Sequence, residues 1–174
     1  MTRTEATAVR GSPFWQFSLQ LYRRPGVAEA CIALQEQCGV DVNLLLFLLW
    51  QAADGRQASA AEVAALERQV GPWRDATVVP LRAVRRALKT APALVGAATA
   101  EAFRTRIKAV ELEAERLQQE AMYALAVSAP FAAKAAKAED AARMSLAAYA
   151  TICPAPFPDE VVRALLAAFS DMAA

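Results

Sequence analysis

The sequence predicts an all-α, single-domain bundle of about seven or eight helices around a buried central helix, residues 42–53. Three observations lead there. Leu44 to Trp50 is an unbroken apolar run, and a helix that is apolar all round must be enclosed by others. Alanine, leucine, glutamate and arginine, the best helix formers, dominate a chain with only 6 glycines. No stretch holds a convincing period of two, and no internal repeat is visible. Hydrophobic residues make up 56% of the 174, enough for a real core.

The central helix has clear ends. Asp41 can accept from first-turn N–H groups as an N-cap. Gly55 can take the left-handed conformation that stops a helix. At about 12 residues, the segment is far short of the roughly 20 that a bilayer span needs, so no membrane span is expected.

Taken in order, residues 1–11 are small and polar and predict a flexible N-terminal arm. The domain is expected to span 12–174. Ser12-Pro13 is a cap followed by a first-turn proline, and the first helix should run 13–23. Pro25-Gly26 turns the chain into a second helix over 26–38, with Val27, Cys31, Leu34 and Cys38 on one stripe. Gly39 ends it, and the central helix follows. Ser59-Ala60-Ala61-Glu62 fits a capping box for a fourth helix, whose inner face is Val63, Leu66 and Val70. Gly71-Pro72 should break or bend it.

A helix over 73–89 should be kinked, or restarted, at Pro80, with Leu81, Val84 and Leu88 facing in. Residues 90–96 connect to the longest helix, 97–127. There Phe103, Ile107, Val110, Ala114, Leu117, Ala121 and Ala124 keep a 4-3-4-3-4-3 spacing. That is the heptad seam of a helix packed on a partner, either within the chain or in a second subunit. An alanine-rich helix is expected over 131–151. Cys153 to Pro158 is a rigid Pro-rich spacer. A last short helix, 159–172, should bury Val162, Leu165, Leu166 and Phe169.

The net charge of +1 gives no global field to steer a polyanion or a membrane. The chain has no histidine, which removes the commonest general base and the commonest metal ligand. Cys31 and Cys38 lie two helical turns apart, about 10 Å, beyond the roughly 7 Å Cα reach of a disulfide. With Cys153, they read as small buried hydrophobes in a reducing cytoplasm. No apolar signal-peptide region follows the start.

Two candidate binding regions stand out. Arg82, Arg85, Arg86 and Lys89 share one side of a helix, and between Arg68 and Lys108 the only acids are Asp75 and Glu101. Such a stripe could hold phosphates. The plainer reading is a solvated face or one paired with Glu111, Glu113 and Glu115 of the next helix; an acidic protein partner is a further alternative. Only Trp73 is interleaved with the stripe, so nucleic acid is disfavoured. The second region is the polar side of the central helix, where Asn43, Trp50, Gln51 and Asp54 gather at 100° per residue. They could line a pocket, or simply form the less buried side.

No catalytic constellation is legible. Glu111/Glu115 has the i, i+4 spacing of helix-borne metal carboxylates but no histidine to complete a site, so solvated surface is expected. There is no Gly-rich phosphate loop, no serine elbow and no paired-cysteine motif. Neither a cofactor nor a metal is expected, and no catalytic residue is nominated.

The run Phe14-Trp15-Gln16-Phe17-Ser18-Leu19-Gln20-Leu21-Tyr22, then Pro25-Gly26-Val27, Asp41-Val42-Asn43-Leu44-Leu45-Leu46 and Trp50, resembles a family of small bacterial proteins. So do Trp73-Arg74 and Val79-Pro80-Leu81-Arg82 with Arg85-Arg86. The family is known only as a conserved domain of unknown function. The resemblance covers about residues 12–125 and implies a cytosolic bacterial protein, but no activity.

The function expected is therefore a non-enzymatic protein-interaction or adaptor module. Its partner or second copy would dock through the helix of Phe103, Ile107, Val110 and Leu117. The alternative is a binding module for an anionic or partly apolar small ligand between the central helix and the basic stripe, with Asn43, Trp50, Asp54, Arg82, Arg85 and Arg86 as its residues. An enzyme comes last.

Overall fold

The computed structural model describes residues 11–90, 93–129, 131–134 and 137–173. The expected arm, but for Gly11, and the connector residues Ala91 and Pro92 lie outside them. The described chain is all-α. It has eight α-helical segments, two of them joined without a break, and one two-stranded antiparallel ribbon. In order these are α1 (Pro13–Tyr22), α2 (Val27–Cys38), α3 (Val42–Ala53), β1 (Arg56–Gln57), α4 (Ala60–Trp73), α5 (Val79–Ala87), α6 (Ala97–Ser128), β2 (Ala133–Lys134), α7 (Ala138–Ala150) and α8 (Asp159–Ala173).

The chain forms two compact units. One joins the residues up to Glu67 with those from Gln119 onward, and the other is Arg68–Gln118.

In the first unit, α3 is the core. Leu44, Leu45, Leu46, Phe47, Leu48 and Leu49 are all buried. α3 packs against α7, α1 and α2, while α8 lies on α2 and α7. The caps form as the sequence predicts. The Asp41 carboxylate accepts from the Asn43 N–H at 2.8 Å and the Leu44 N–H at 3.3 Å. The Asp41 N–H in turn donates to Tyr149 Oη at 2.9 Å, which ties the start of α3 to α7. Ser59 and Glu62 make the reciprocal capping box, Ser59 N–H to Glu62 Oε2 at 2.8 Å and Glu62 N–H to Ser59 Oγ at 3.3 Å.

The ribbon pairs Arg56 with Lys134 and Gln57 with Ala133. Two residues are too few for a period of two to show in a sequence. The helix expected over 131–151 accordingly starts only at Ala138.

In the second unit, Gly71-Pro72 does not end its helix. α4 runs through Pro72 to Trp73, followed by a π-helical stretch, Arg74–Val78, and then α5 with Pro80 in its first turn. The wide turn lies between two prolines, each of which withholds a backbone donor. Thr77 Oγ1 donates to the Trp73 carbonyl at 2.6 Å and takes up one of the carbonyls there.

The inner face expected on α5 is corrected in this unit. α5 buries none of its residues fully, and Val84 is 44% exposed. On α6, Ala114 is buried and Ile107 half-buried, but Phe103, Val110 and Leu117 are open. The residues that α6 does bury include Ala100, Glu111, Ala114, Gln118, Gln119 and Met122. Three of these are polar, which a count of apolar positions cannot anticipate.

Candidate functional site

In the second unit, α5 and α6 bring the basic stripe onto a line of carboxylates. Arg82 Nε donates to Glu111 Oε1 at 3.0 Å and its Nη2 to Glu115 Oε1 at 2.7 Å. Arg85 grips the same Glu111 from its Nε, and from Nη2 at 3.2 Å. Positions 82 and 85 are one turn apart, as are 111 and 115, so two helical edges interlock.

Burial by itself would raise the Glu111 pKa, but the hydrogen bonds from Arg85 and Arg82 outweigh it and hold the carboxyl below its ordinary value. The same bond to Glu111 pushes the Arg85 pKa up. Glu111 is thus a buried, doubly paired carboxylate rather than the solvated surface group expected from its spacing. Glu113 pairs with Arg116 on its own helix, Arg116 Nη2 lying 2.6 Å from Glu113 Oε1. Arg86 sits exposed in the last turn of α5.

Along the outward side of α6, Phe103 is 43%, Val110 51% and Leu117 43% exposed. They repeat every seven residues and so form one line along the helix. Arg106 stands in the same face, with its guanidinium carbon 5.4 Å from the Phe103 ring centroid, a cation–π contact. Trp73, also exposed, donates from Nε1 to the Ala114 carbonyl at 3.0 Å.

In the first unit, the polar side of α3 is only partly buried, with Trp50 half-buried and Asp54 exposed. Asn43 and Gln51 are both buried. The Asn43 Oδ1 accepts from Gln119 Nε2 at 2.8 Å. Trp50, half-buried, stacks on Phe14 at 5.4 Å and tilts against Tyr123 at 5.6 Å. Asp54 is exposed and takes Arg56 at 3.3 Å and Lys134 at 3.9 Å.

An open cleft of about 400 Å³ at the C-terminal end of α3 is lined by Trp50 and Asp54, together with Phe17, Gln51, Arg56 and Val127 among others. Of the sequence-predicted site residues, this cleft gathers Trp50 and Asp54, while the Asn43 side chain is engaged by Gln119. Arg82, Arg85 and Arg86 belong to the other unit. Arg56 is the residue that sequence reasoning missed. Its only signal was a cation one residue past the helix-stopping Gly55.

The family model for a protein of unknown function, DUF2390, matches residues 13–122, well over half of the chain. The chain belongs to the DUF2390 family. The matched segment starts with α1 and ends at Met122 in α6, so it takes in α3, the Arg82/Arg85–Glu111 cluster and the open line of Phe103, Val110 and Leu117. No match was found among curated proteins or among solved structures. Among the described residues of this DUF2390 chain, no three His, Cys, Asp or Glu side chains cluster closely enough to hold a metal ion, and no helix is long and apolar enough to cross a membrane.

Proposed function

We propose that this DUF2390 chain is a non-enzymatic protein-interaction module whose docking surface is the outward face of α6. One observation carries the reading, the line of Phe103, Val110 and Leu117 held open on a long helix. A helix face with large apolar side chains at a fixed repeat is ordinarily covered. A contiguous exposed apolar patch marks an interaction site more often than chance exposure does. The Arg82/Arg85–Glu111 cluster supports the reading, because it anchors the opposite side of α6 to α5 and holds the open face rigid. Three free thiols suit a reducing bacterial cytoplasm as the setting.

The test is affinity capture from native lysate with the wild-type chain and with Val110→Glu as baits. The partner recovered should rebind the purified wild type and be lost with Val110→Glu. Equal recovery by both baits would overturn the reading.

A second reading rests on the α3 cleft. The aromatic wall of Trp50 and Phe17 beside Arg56 suits a small, partly apolar anion. Titration with an aromatic carboxylate such as indole-3-acetate should quench tryptophan fluorescence, and Arg56→Gln should weaken binding about tenfold, the worth of one charge-assisted hydrogen bond. No saturable quenching would end this alternative.

A further inference from the structure

We infer that the occupant of the α6 face is a second copy of this chain, laid antiparallel and centred on Val110; the inference rests on the docking surface proposed above. The outward face reads Phe103, Arg106, Val110, Glu113, Leu117. Phe103 and Leu117 flank Val110 at seven residues on either side. Arg106 and Glu113, of opposite charge, flank nearly the same midpoint. The face is therefore complementary to its own reverse.

Two copies related by a two-fold axis at Val110 would set Phe103 against the second copy's Leu117 and Val110 against its equivalent. Arg106 would meet Glu113 on both sides of the axis. This is the self-complementary pattern of an isologous interface. A parallel pairing would instead press Arg106 on Arg106 and Glu113 on Glu113, so the charges select the antiparallel arrangement.

Both charged groups can take part. Arg106 lies against the Phe103 ring, and Glu113 makes an exposed i, i+3 pair with Arg116. Such surface pairs are weak and readily exchanged. The alternation of apolar and charged positions also explains why a seam read as purely apolar is only partly covered within the chain.

The experiment uses the full chain. Multi-angle light scattering across about 10–300 µM, the range in which a small interface exchanges, should show a dimer. Arg106→Glu and Glu113→Arg, both at exposed positions, should each weaken it at least tenfold with unchanged helical circular dichroism. The double swap should return the dissociation constant to within threefold of wild type.

In a Cys153→Ser background, a mixture of Arg106→Cys and Glu113→Cys chains should form a mixed disulfide on oxidation. Arg106→Cys alone should not, because its two copies would lie about 12 Å apart along the axis. A wild type that is monomeric throughout, a double swap that stays weak, or efficient self-linking of Arg106→Cys each overturns the inference. A monomeric wild type whose captured partner is still lost with Val110→Glu overturns only the second copy. Capture that is indifferent to Val110→Glu overturns the docking surface itself.

Discussion

Glu111 accepts from Arg82 at 3.0 Å across 29 positions of sequence, and its carboxylate is among the most buried charges of the described chain. The pairing turns what looks like a ligand-seeking basic stripe into an internal clasp between α5 and α6. Removing one side leaves charges at a partly dry site without their partner. Glu111→Ala should therefore cost about 1–3 kcal/mol, read as a lower urea midpoint. An unchanged midpoint would show that the clasp is ornamental.

The same clasp sets an acid limit. The Glu111 pKa lies below its ordinary value of 4.5 in the folded chain. Folded and unfolded states therefore differ in protons bound only as the pH falls through and below that value. Its contribution is fully present above the unfolded pKa and is lost as pH falls through the folded one. Urea midpoints measured from pH 6 to pH 3 should fall at the acid end, and Glu111→Gln, which cannot titrate, should flatten part of that fall. Equal slopes for the two proteins would refute the assignment.

The core makes a separate prediction. Leu48 is fully buried on α3. Leu48→Ala should cost about 2–5 kcal/mol through lost burial and the cavity left behind. Val110→Gln, at a half-open position, should stay within about 0.5 kcal/mol of wild type. Denaturant titrations of the two variants separate a residue kept for packing from one free to serve an interface.

Thiol reactivity is predictable as well. Burial pushes the Cys31 pKa up to about 12, and burial with the nearby Cys38 raises Cys153 to about 11. The reactive thiolate is then scarce at neutral pH. With a disulfide reagent at pH 8, the folded chain should react slowly at Cys153 and more slowly still at Cys31, while all three thiols titrate at once in denaturant. Rapid reaction of Cys31 in the native state would contradict its burial.

Much of the fold was readable. Asp41 as a cap, the Ser59–Glu62 capping box and the stripe of Val27, Cys31, Leu34 and Cys38 involve groups within a few turns of one another, so spacing alone reveals them. Of the candidate site, the neighbourhood of Trp50 and Asp54 was legible because both lie on one helix. The buried state of Asn43 was not, since it depends on Gln119, 76 positions away. Arg56 was missed for the same reason, as its partners at Ala132 and Lys134 arrive through a ribbon too short to leave a pattern.

By itself, then, the sequence determined the central helix of residues 42–53, its ends, and an all-α chain, because those follow from local hydrogen bonding and from apolar surface that must be hidden somewhere. Only the tertiary structure decided which face of α6 is covered. Apolar spacing marks Phe103, Val110 and Leu117 as a seam, yet the chain buries Glu111, Gln118 and Gln119 instead. A buried polar group is stable once a distant partner satisfies it, as Arg82 and Arg85 do for Glu111, and that pairing is a property of the folded arrangement rather than of any stretch of sequence.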